Sequence, residues 1–539
     1  MSSADIGRAD GLFCLRLVRR TGVRRAVWGG VGVESLVQRE LWARVGRGDY
    51  RRWQRQVERA RFCSHPVRVA GGAAAVDGSS GEVRAEFSTR GEPDGTLLIA
   101  CGDRRASVCP SCAETYRRDM WHVVASGLSG RMPPASSTQG AGVRQSAVES
   151  AVPASVESHP RLFVTLTAPS FGPVHSARGG AACRPRSGRK KTCPHGRPAG
   201  CGLVHEDAHP VVGTPICADC WDYAGAVLWN AHAGELWRRT RIAVDRALAP
   251  LASAVLGCRM TVAGARDLLK VSYVKVAEFQ KRGLVHLHVV LRLDGVDAGD
   301  RSAVVAPPAW ASAGLLAEAV EQAVDAVSFA LPSPDGVLRA AHWGAQRDIT
   351  DVSAGGPVAD SRRIGAYLAK YATKTASDAA GPGASAALAR RFRRLHRDHL
   401  RRKVGPHLAR MVETAWDLGA RRGLAALKLR HWAHTLGFRG HFATKSRAYS
   451  VTLGVLRQAR RSWRARQRTA SGESDVWASG DGDGSTVIVA DWRYAGRGYV
   501  GAADAQLAET MAREYEIARA EYRDLLRREK EITYWCEST

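Results

Sequence analysis

Two runs of β-branched and apolar residues, 271–279 and 284–293, constrain the fold of this chain more than any other feature. The segment between them ends in Lys281-Arg282-Gly283, which fits a three-residue hairpin loop with glycine where a positive φ is needed. We therefore predict two antiparallel strands in a fixed register. In that register Glu278 stands opposite His286.

The second strand contains the motif His286-Leu287-His288. Residues i and i+2 of a strand share one face, so both imidazoles point the same way while Leu287 faces a core. The register adds Glu278 to the histidine face, and Gln280 is the rival third ligand if the loop differs. Two imidazoles and a carboxylate or carboxamide leave open positions on a divalent ion. We predict a Mg²⁺ or Mn²⁺ site that polarises a scissile phosphate, with surface histidines or an unrelated metal site as alternatives.

A second constellation lies in 362–375, which has the pattern of a helix. Tyr367, Lys370, Tyr371 and Lys374 are spaced i, i+3, i+4 and i+7 and form one stripe, with the aliphatic residues on an adjoining one. A tyrosine pair at this spacing usually packs in a core. Two lysines on the same stripe favour instead a face that is presented to an anion.

The tyrosine stripe and the histidine face suggest one reaction. A tyrosine hydroxyl is a weak nucleophile at its ordinary pKa of about 10. A metal-polarised phosphodiester and nearby ammonium groups would make its attack feasible. The phosphotyrosine product keeps the energy of the broken linkage, so no ATP is needed, and the chain has no G-x-x-x-x-G-K-[ST] loop. Two tyrosines allow two successive strand transfers.

The charge of the chain indicates a polyanionic partner. Lys and Arg number 79 against 52 Asp and Glu, a net charge of +27 over 539 residues. The stretch 381–470 alone holds 22 basic and three acidic residues, with interleaved aromatic side chains. The chain shows neither an apolar run of about 20 residues nor an amino-terminal secretory pattern. We therefore expect a cytoplasmic protein whose partner is nucleic acid and not a membrane.

Cysteines form two clusters that predict structural zinc, because a cytoplasmic chain keeps its thiols reduced. In the first, the C-x-x-C pair Cys109 and Cys112 follows Cys101, and either Cys63 or His65 supplies the fourth ligand. The second cluster lies in 183–220 and has seven candidate ligands. They are Cys183, Cys193, His195, Cys201, His205, Cys217 and Cys220.

Within the second cluster we assign one Zn²⁺ to four thiols. They are Cys193, Cys201, Cys217 and Cys220. One or two zinc ions per chain are therefore expected. Scattered reactive thiols, or a redox C-x-x-C, are the alternatives, but a redox motif does not need the additional cysteines and histidines.

The motifs together resemble a known family. A strand over 163–167 is followed by His286-Leu287-His288 and then by Tyr367-x-x-Lys370-Tyr371, an order that resembles the HUH (histidine, hydrophobic residue, histidine) rolling-circle replication initiators. The closer resemblance is to the Streptomyces-type initiators of actinobacterial plasmids and integrative elements. It covers about 63–460 and is carried by several stretches: TLTAPSFGPVHS, CPHGRPAGC, DYAGAVLWNAHAGELWRR, RGLVHLHVVLRLDG, YLAKYATK and GFRGHFATKSRAYS.

This resemblance implies a metal-dependent, site-specific single-strand endonuclease and strand transferase. It would nick origin DNA, keep the 5′ phosphate on a tyrosine and leave a 3′-OH for host polymerase, with host helicase as a further partner. On the match His286 and His288 are metal ligands, either Tyr371 or Tyr367 is the nucleophile, and two lysines assist. Those lysines are Lys370 and Lys374.

Two alternatives remain open at this stage. Conjugative relaxases place the tyrosine before the histidines, whereas here it follows them, which is the initiator order. Two-tyrosine transposases share that order. A zinc-containing DNA-binding regulator without catalysis is the alternative from another class, and the lysine-bearing tyrosine stripe argues against it.

The predicted fold class is α+β: an HUH-type antiparallel sheet with flanking helices, inserted zinc-binding segments and a basic helical C-terminal region. Gly, Ser and Pro content marks two linkers. The predicted divisions are 1–132 (N-terminal region with a zinc knuckle), 133–160 (linker), 161–380 (endonuclease domain with the zinc-binding insertion 183–220), 381–468 (basic DNA-binding helices), 469–486 (linker) and 487–539 (strand and charged helix).

Overall fold

The computed structural model describes most of the chain. The described residues are 36–130, 152–183, 192–332, 334–353, 361–374, 376, 385–388, 391–470 and 486–537. Most of the two predicted linkers lies outside these residues, namely 133–151 of the first and 471–485 of the second. Within the described part, no helix has the length and apolar character that a bilayer span requires.

Helices and strands alternate irregularly along the chain. The strands are β1 (Val67–Asp77), β2 (Val83–Ser88), β3 (Leu97–Ile99), β4 (Arg161–Leu166), β5 (Leu269–Phe279), β6 (Val285–Gly295), β7 (Phe329–Ala330), β8 (Ala340–Ala341), β9 (Arg347–Asp351), β10 (Ala443–Lys445) and β11 (Thr486–Arg497). The helices are α1 (Leu36–Val45), α2 (Tyr50–Arg59), α3 (Pro110–Ser129), α4 (Tyr223–Leu256), α5 (Val262–Leu268), α6 (Ala313–Ala326), α7 (Ser361–Ala372), α8 (Ser385–Leu388), α9 (Arg397–Val404), α10 (Pro406–Leu418), α11 (Leu429–Trp432), α12 (Leu453–Ala470) and α13 (Ala502–Glu537).

The central sheet has the order β10-β5-β6-β4-β9, and every neighbouring pair is antiparallel. Because side chains alternate across a strand, β6 contributes residues to the hydrophobic cores on both faces of the sheet. Leu287 and Val289 belong to the core that includes α4 and α6. Val290 belongs to the opposite core, with residues of α3 and α7. The predicted α+β class with an antiparallel sheet is therefore confirmed at this level.

A second sheet, β11-β1-β2 with β3 on β1, joins a segment within 67–99 to the distant segment 486–497. β1 pairs with β11 from Val67 to Asp77, and Arg44 of α1 binds Asp504 of α13 through two hydrogen bonds. The sequence pattern predicts 1–132 and 487–539 as two separate regions. It gives no indication that strands from the two regions pair. Pairing of strands about 400 residues apart depends on the whole fold and leaves no local signal.

Two sequence predictions need correction. The end of the predicted linker carries part of the core, since Val156 and His159 are fully buried and His159 Nδ1 lies 2.8 Å from Asp294 Oδ1. The basic region 381–468, which is predicted to be helical, is also interrupted. Residues 391–396 between α8 and α9 are not helical, and Lys428, directly before α11, has a φ of 49°.

We expect Gly127→Ala to lower the free energy of unfolding. A Cβ on Gly127 of α3 would overlap the ring of Tyr449, which is fully buried and donates a hydrogen bond to Val124 O at 3.0 Å. Overpacking of this kind costs about 1–3 kcal/mol.

Gly234→Ala in α4 is the matched control: among the described residues, no atom beyond its own helix turn lies within 4 Å of where its Cβ would stand. A helical Gly→Ala change there gains about 0.5–1 kcal/mol. Urea denaturation of both variants checks this, and equal midpoints would contradict it.

Candidate active site

The central hairpin has the register that the sequence predicts. Glu278 pairs with His286, and Phe279 pairs with Val285. The Gln280 amide donates to Leu284 O at 2.8 Å, and Gly283 takes a φ of 77°, a conformation that glycine adopts at no steric cost.

A buried asparagine, which the sequence analysis missed, holds the turn of this hairpin. Asn230 of α4 donates from Nδ2 to the carbonyls of Gly283 and Leu436, at 2.9 and 3.0 Å, and its Oδ1 accepts from the Val285 amide at 3.1 Å. A lone Asn in a helix carries no local sign of this role. The turn, and with it the histidine strand, is therefore fixed from the opposite face of the sheet.

The three predicted ligands converge on one point. Glu278 Oε2 lies 2.9 Å from His286 Nε2 and 3.3 Å from His288 Nε2. The hydroxyl of Thr165 lies 3.2 Å from His288 Nδ1, which orients that ring. Gln280, the rival ligand, is engaged elsewhere, because its Oε1 accepts from Arg282 Nε at 2.7 Å.

The electrostatics of this cluster suit a cation. Burial raises the pKa of Glu278, but hydrogen bonds with His286, His288 and Lys374 outweigh that effect and lower the pKa to about 2. Burial lowers the pKa of His288. An ionised carboxylate beside a neutral imidazole is the protonation state that metal coordination requires.

The tyrosines of α7 face the histidines. The ring centroid of His288 lies 5.1 Å from that of Tyr367 and 5.2 Å from that of Tyr371, and the two tyrosine rings are 4.6 Å apart. The adjoining aliphatic stripe of α7, including Ile364 and Leu368, is buried. Burial and a hydrogen bond with Tyr371 raise the pKa of Tyr367, so its hydroxyl keeps its proton at neutral pH. Tyr367 is nevertheless 41% exposed and accessible to a substrate.

The two lysines of the stripe differ in placement. Lys374 follows the end of α7 at Ala372, and its Nζ lies 2.8 Å from Glu278 Oε1 and 4.3 Å from the centroid of the Tyr371 ring. Lys370 is exposed, with its Nζ 5.8 Å from the same centroid. Lys374 therefore joins the ligand cluster to the tyrosine, whereas Lys370 lies at the margin.

Two described parts of the basic stretch 381–470, β10 and α10, contact the hairpin. β10 pairs with β5 on the side of β5 that faces away from β6. At the turn, His407 Nε2 of α10 lies 3.1 Å from Arg282 O. Some arginines of this stretch bind acidic residues of the same stretch. Arg401, for example, donates two hydrogen bonds of 2.9 Å to Glu413.

The first cysteine cluster is assembled as predicted. The sulfurs of Cys63, Cys101, Cys109 and Cys112 lie within 4.8 Å of one another, and His65 is not among them. The sulfurs of Cys109 and Cys63 are 3.7 Å apart, as are those of Cys101 and Cys112. A tetrahedral ion with bonds of about 2.3 Å places sulfurs about 3.8 Å apart.

The second cluster divides into two groups, which corrects the assignment of Cys201. One group contains Cys193, Cys217 and Cys220 together with His195. Cys201 lies in a separate group with three partners that the assignment left out. They are His175, Cys183 and His205. The sequence could not divide seven candidate ligands, because their grouping depends on how the loop folds back, and His175 lies before the predicted insertion.

Comparison with known proteins gives two matches that cover most of the chain. The family model described as "RepSA: Replication initiator protein, pSAM2" matches residues 49–513. A replication initiator protein of Streptomyces ambofaciens is 39% identical over 485 residues, which cover 89% of this chain and 93% of that protein. No solved structure shows significant similarity.

Proposed function

Because this chain belongs to the RepSA family of replication initiator proteins, we propose that it starts rolling-circle replication at a DNA origin. It nicks single-stranded origin DNA and later rejoins it through a 5′-phosphotyrosine intermediate. One observation carries the proposal: two tyrosine rings lie within 5.2 Å of His288 in the Glu278/His286/His288 cluster. The order of strand, histidine hairpin and tyrosine helix supports an HUH-type fold.

The ligand cluster fits a small divalent cation. One carboxylate and two imidazole nitrogens offer three ligands from adjacent strands and leave positions for phosphate oxygens, which suits Mg²⁺ or Mn²⁺. When bound, such an ion polarises the scissile phosphate and neutralises developing charge. Thr165 orients the His288 ring, and Lys374 holds the second oxygen of Glu278. Partners of this kind fix the direction of a ligand's lone pair.

A tyrosine of α7 is the nucleophile in this proposal. Its hydroxyl oxygen forms a bond to phosphorus while the bond from phosphorus to the 3′ oxygen breaks, and the phenolic proton ends on that 3′ oxygen. The energy of the phosphodiester is kept in the phosphotyrosine, so the exchange needs no ATP. Host polymerase extends the free 3′-OH and host helicase opens the duplex. Tyr367 and Tyr371 allow one transfer at initiation and one at termination.

The basic stretch 381–470 is proposed to hold the DNA strand. It contacts the hairpin at its outer edge and at its turn, and its excess of basic residues favours phosphate contacts. We also propose structural zinc at the four-sulfur group around Cys109 and at the Cys193/His195/Cys217/Cys220 group, where the donors fit a closed tetrahedral site.

Covalent capture tests the proposed function. Single-stranded oligonucleotides that tile both strands of the replicon carrying the gene are incubated with the purified full-length protein and Mn²⁺. We expect one oligonucleotide to be cleaved at one position. Its 3′ fragment should remain attached to the protein during denaturing electrophoresis. Cleavage of no oligonucleotide, or cleavage with both fragments free, would refute the proposal.

Replacing Lys374 should weaken the ligand cluster without removing a ligand. We expect Lys374→Ala to raise the Mn²⁺ concentration needed for half-maximal cleavage by about 10- to 100-fold, the usual effect of losing a partner behind a metal ligand. Lys370→Ala is the matched control, because its ammonium group lies outside the cluster. Titration of cleavage with Mn²⁺ measures both variants. The positioning role is wrong if the two titration midpoints shift equally.

A further inference from the structure

We infer that the chain between β4 and α4 holds a second metal ion beside the proposed Cys193/His195/Cys217/Cys220 site, a zinc bound by His175, Cys183, Cys201 and His205. Their ligand atoms all lie within 4.8 Å of one another. This group is separate from the Cys193/His195/Cys217/Cys220 group, so three zinc ions per chain are expected where one or two are expected from the sequence. The inference does not depend on the proposed nicking activity.

The spacing of the four donors is that of a tetrahedral site. Cys201 Sγ lies 3.3 Å from His205 Nε2, and Cys183 Sγ lies 3.9 Å from His175 Nδ1. A tetrahedron with Zn–S of about 2.3 Å and Zn–N of about 2.0 Å places sulfur and nitrogen about 3.5 Å apart. Two thiolates with two imidazoles are a common structural zinc set, and the three residues between Cys201 and His205 are typical of one.

The backbone around the site supports a charged sulfur. Cys183 is fully buried and its sulfur accepts a hydrogen bond from the Ser176 amide at 3.1 Å. His205 is also buried, at 7% exposure. The Cys183 amide in turn donates to Leu203 O at 2.8 Å, which brings the two ligand pairs together. Cys183 and His205 are thus held away from water, and a bound ion would compensate their donor atoms for the lost solvent.

The site lies beside the turn of the histidine hairpin. His175 exchanges backbone hydrogen bonds with Gly213 and Thr214, of 2.8 and 2.9 Å. The backbone at Gly213 lies against Lys281, and Lys281 Nζ donates to the carbonyl of Asp207. The second zinc therefore fastens the chain after β4 against the turn that aligns Glu278 with His286.

Zinc content of the full-length protein tests the inference. We expect three zinc ions per chain by elemental analysis of the wild type, two in Cys201→Ser and three in Cys258→Ser, whose thiol is exposed and belongs to none of the groups. Amide hydrogen exchange of 281–285 should be faster in Cys201→Ser than in Cys258→Ser. Two zinc ions in both the wild type and Cys201→Ser would overturn the inference.

A second variant covers the case in which Cys201→Ser does not fold. His205→Cys exchanges a nitrogen donor for sulfur, so the cobalt-substituted protein should still bind three ions and gain sulfur-to-cobalt charge-transfer absorption. His209→Ala, at the neighbouring ring 5.1 Å from His205, should leave both the count and the absorption unchanged. No gain in absorption for His205→Cys would overturn the assignment of His205 as a ligand. A protein with three zinc ions and no nicking activity would refute the proposed function alone.

Discussion

Changing both Tyr367 and Tyr371 to phenylalanine is expected to lower origin cleavage by at least about 10³-fold, the scale of losing a catalytic nucleophile. The change removes only two hydroxyl groups and keeps the rings that pack on His288 and Phe163. Folding and DNA binding should therefore be retained. Gel-based cleavage assays with Mn²⁺ measure the loss, and binding to the uncleaved oligonucleotide checks the fold.

The two single variants separate the roles of the tyrosines. If one tyrosine starts the reaction and the other ends it, one single variant should lose the first cleavage and the other should cleave but fail to rejoin. Tyr273→Phe is the matched control, since that tyrosine packs on Trp237 of α4, outside the tyrosine and histidine cluster. Cleavage at the wild-type rate by the double variant would exclude both tyrosines as nucleophiles.

Removing a metal ligand should have an effect of similar size. We expect Glu278→Ala and His286→Ala to lower cleavage by more than about 100-fold, because even residues behind a ligand contribute 10- to 100-fold. Isothermal titration with Mn²⁺ should show weaker binding by both variants, a readout that does not depend on catalysis.

Gln280→Ala is the control for the choice of ligand. Its side chain belongs to the same strand end but binds Arg282, so Mn²⁺ affinity should stay close to that of the wild type. If Gln280→Ala lost Mn²⁺ binding while Glu278→Ala kept it, the third ligand would be misassigned.

The candidate site was largely predictable because its signals are local. The three-residue loop ending in Gly283 and the alternation of β6 set the register that places Glu278 beside His286. The helical period placed Tyr367, Tyr371 and Lys374 on one face. That Lys374 binds the carboxylate of Glu278 could not be predicted, because it depends on how α7 packs on the sheet.

Features set by distant contacts were not predictable. The pairing of β1 with β11 and the burial of His159 beside Asp294 depend on segments that lie far apart in the chain. The division of the insertion into two four-ligand groups depends on the fold of a loop with little regular structure. Spacing alone therefore placed Cys201 with the wrong partners.

Identification of the residue that carries the DNA tests the central claim most directly. The protein is allowed to cleave its origin oligonucleotide with Mn²⁺, digested with protease and nuclease, and analysed by tandem mass spectrometry. We expect a nucleotide phosphate on Tyr367 or Tyr371 and on no other residue. Cleavage without any adduct, or an adduct on a residue outside α7, would contradict the account.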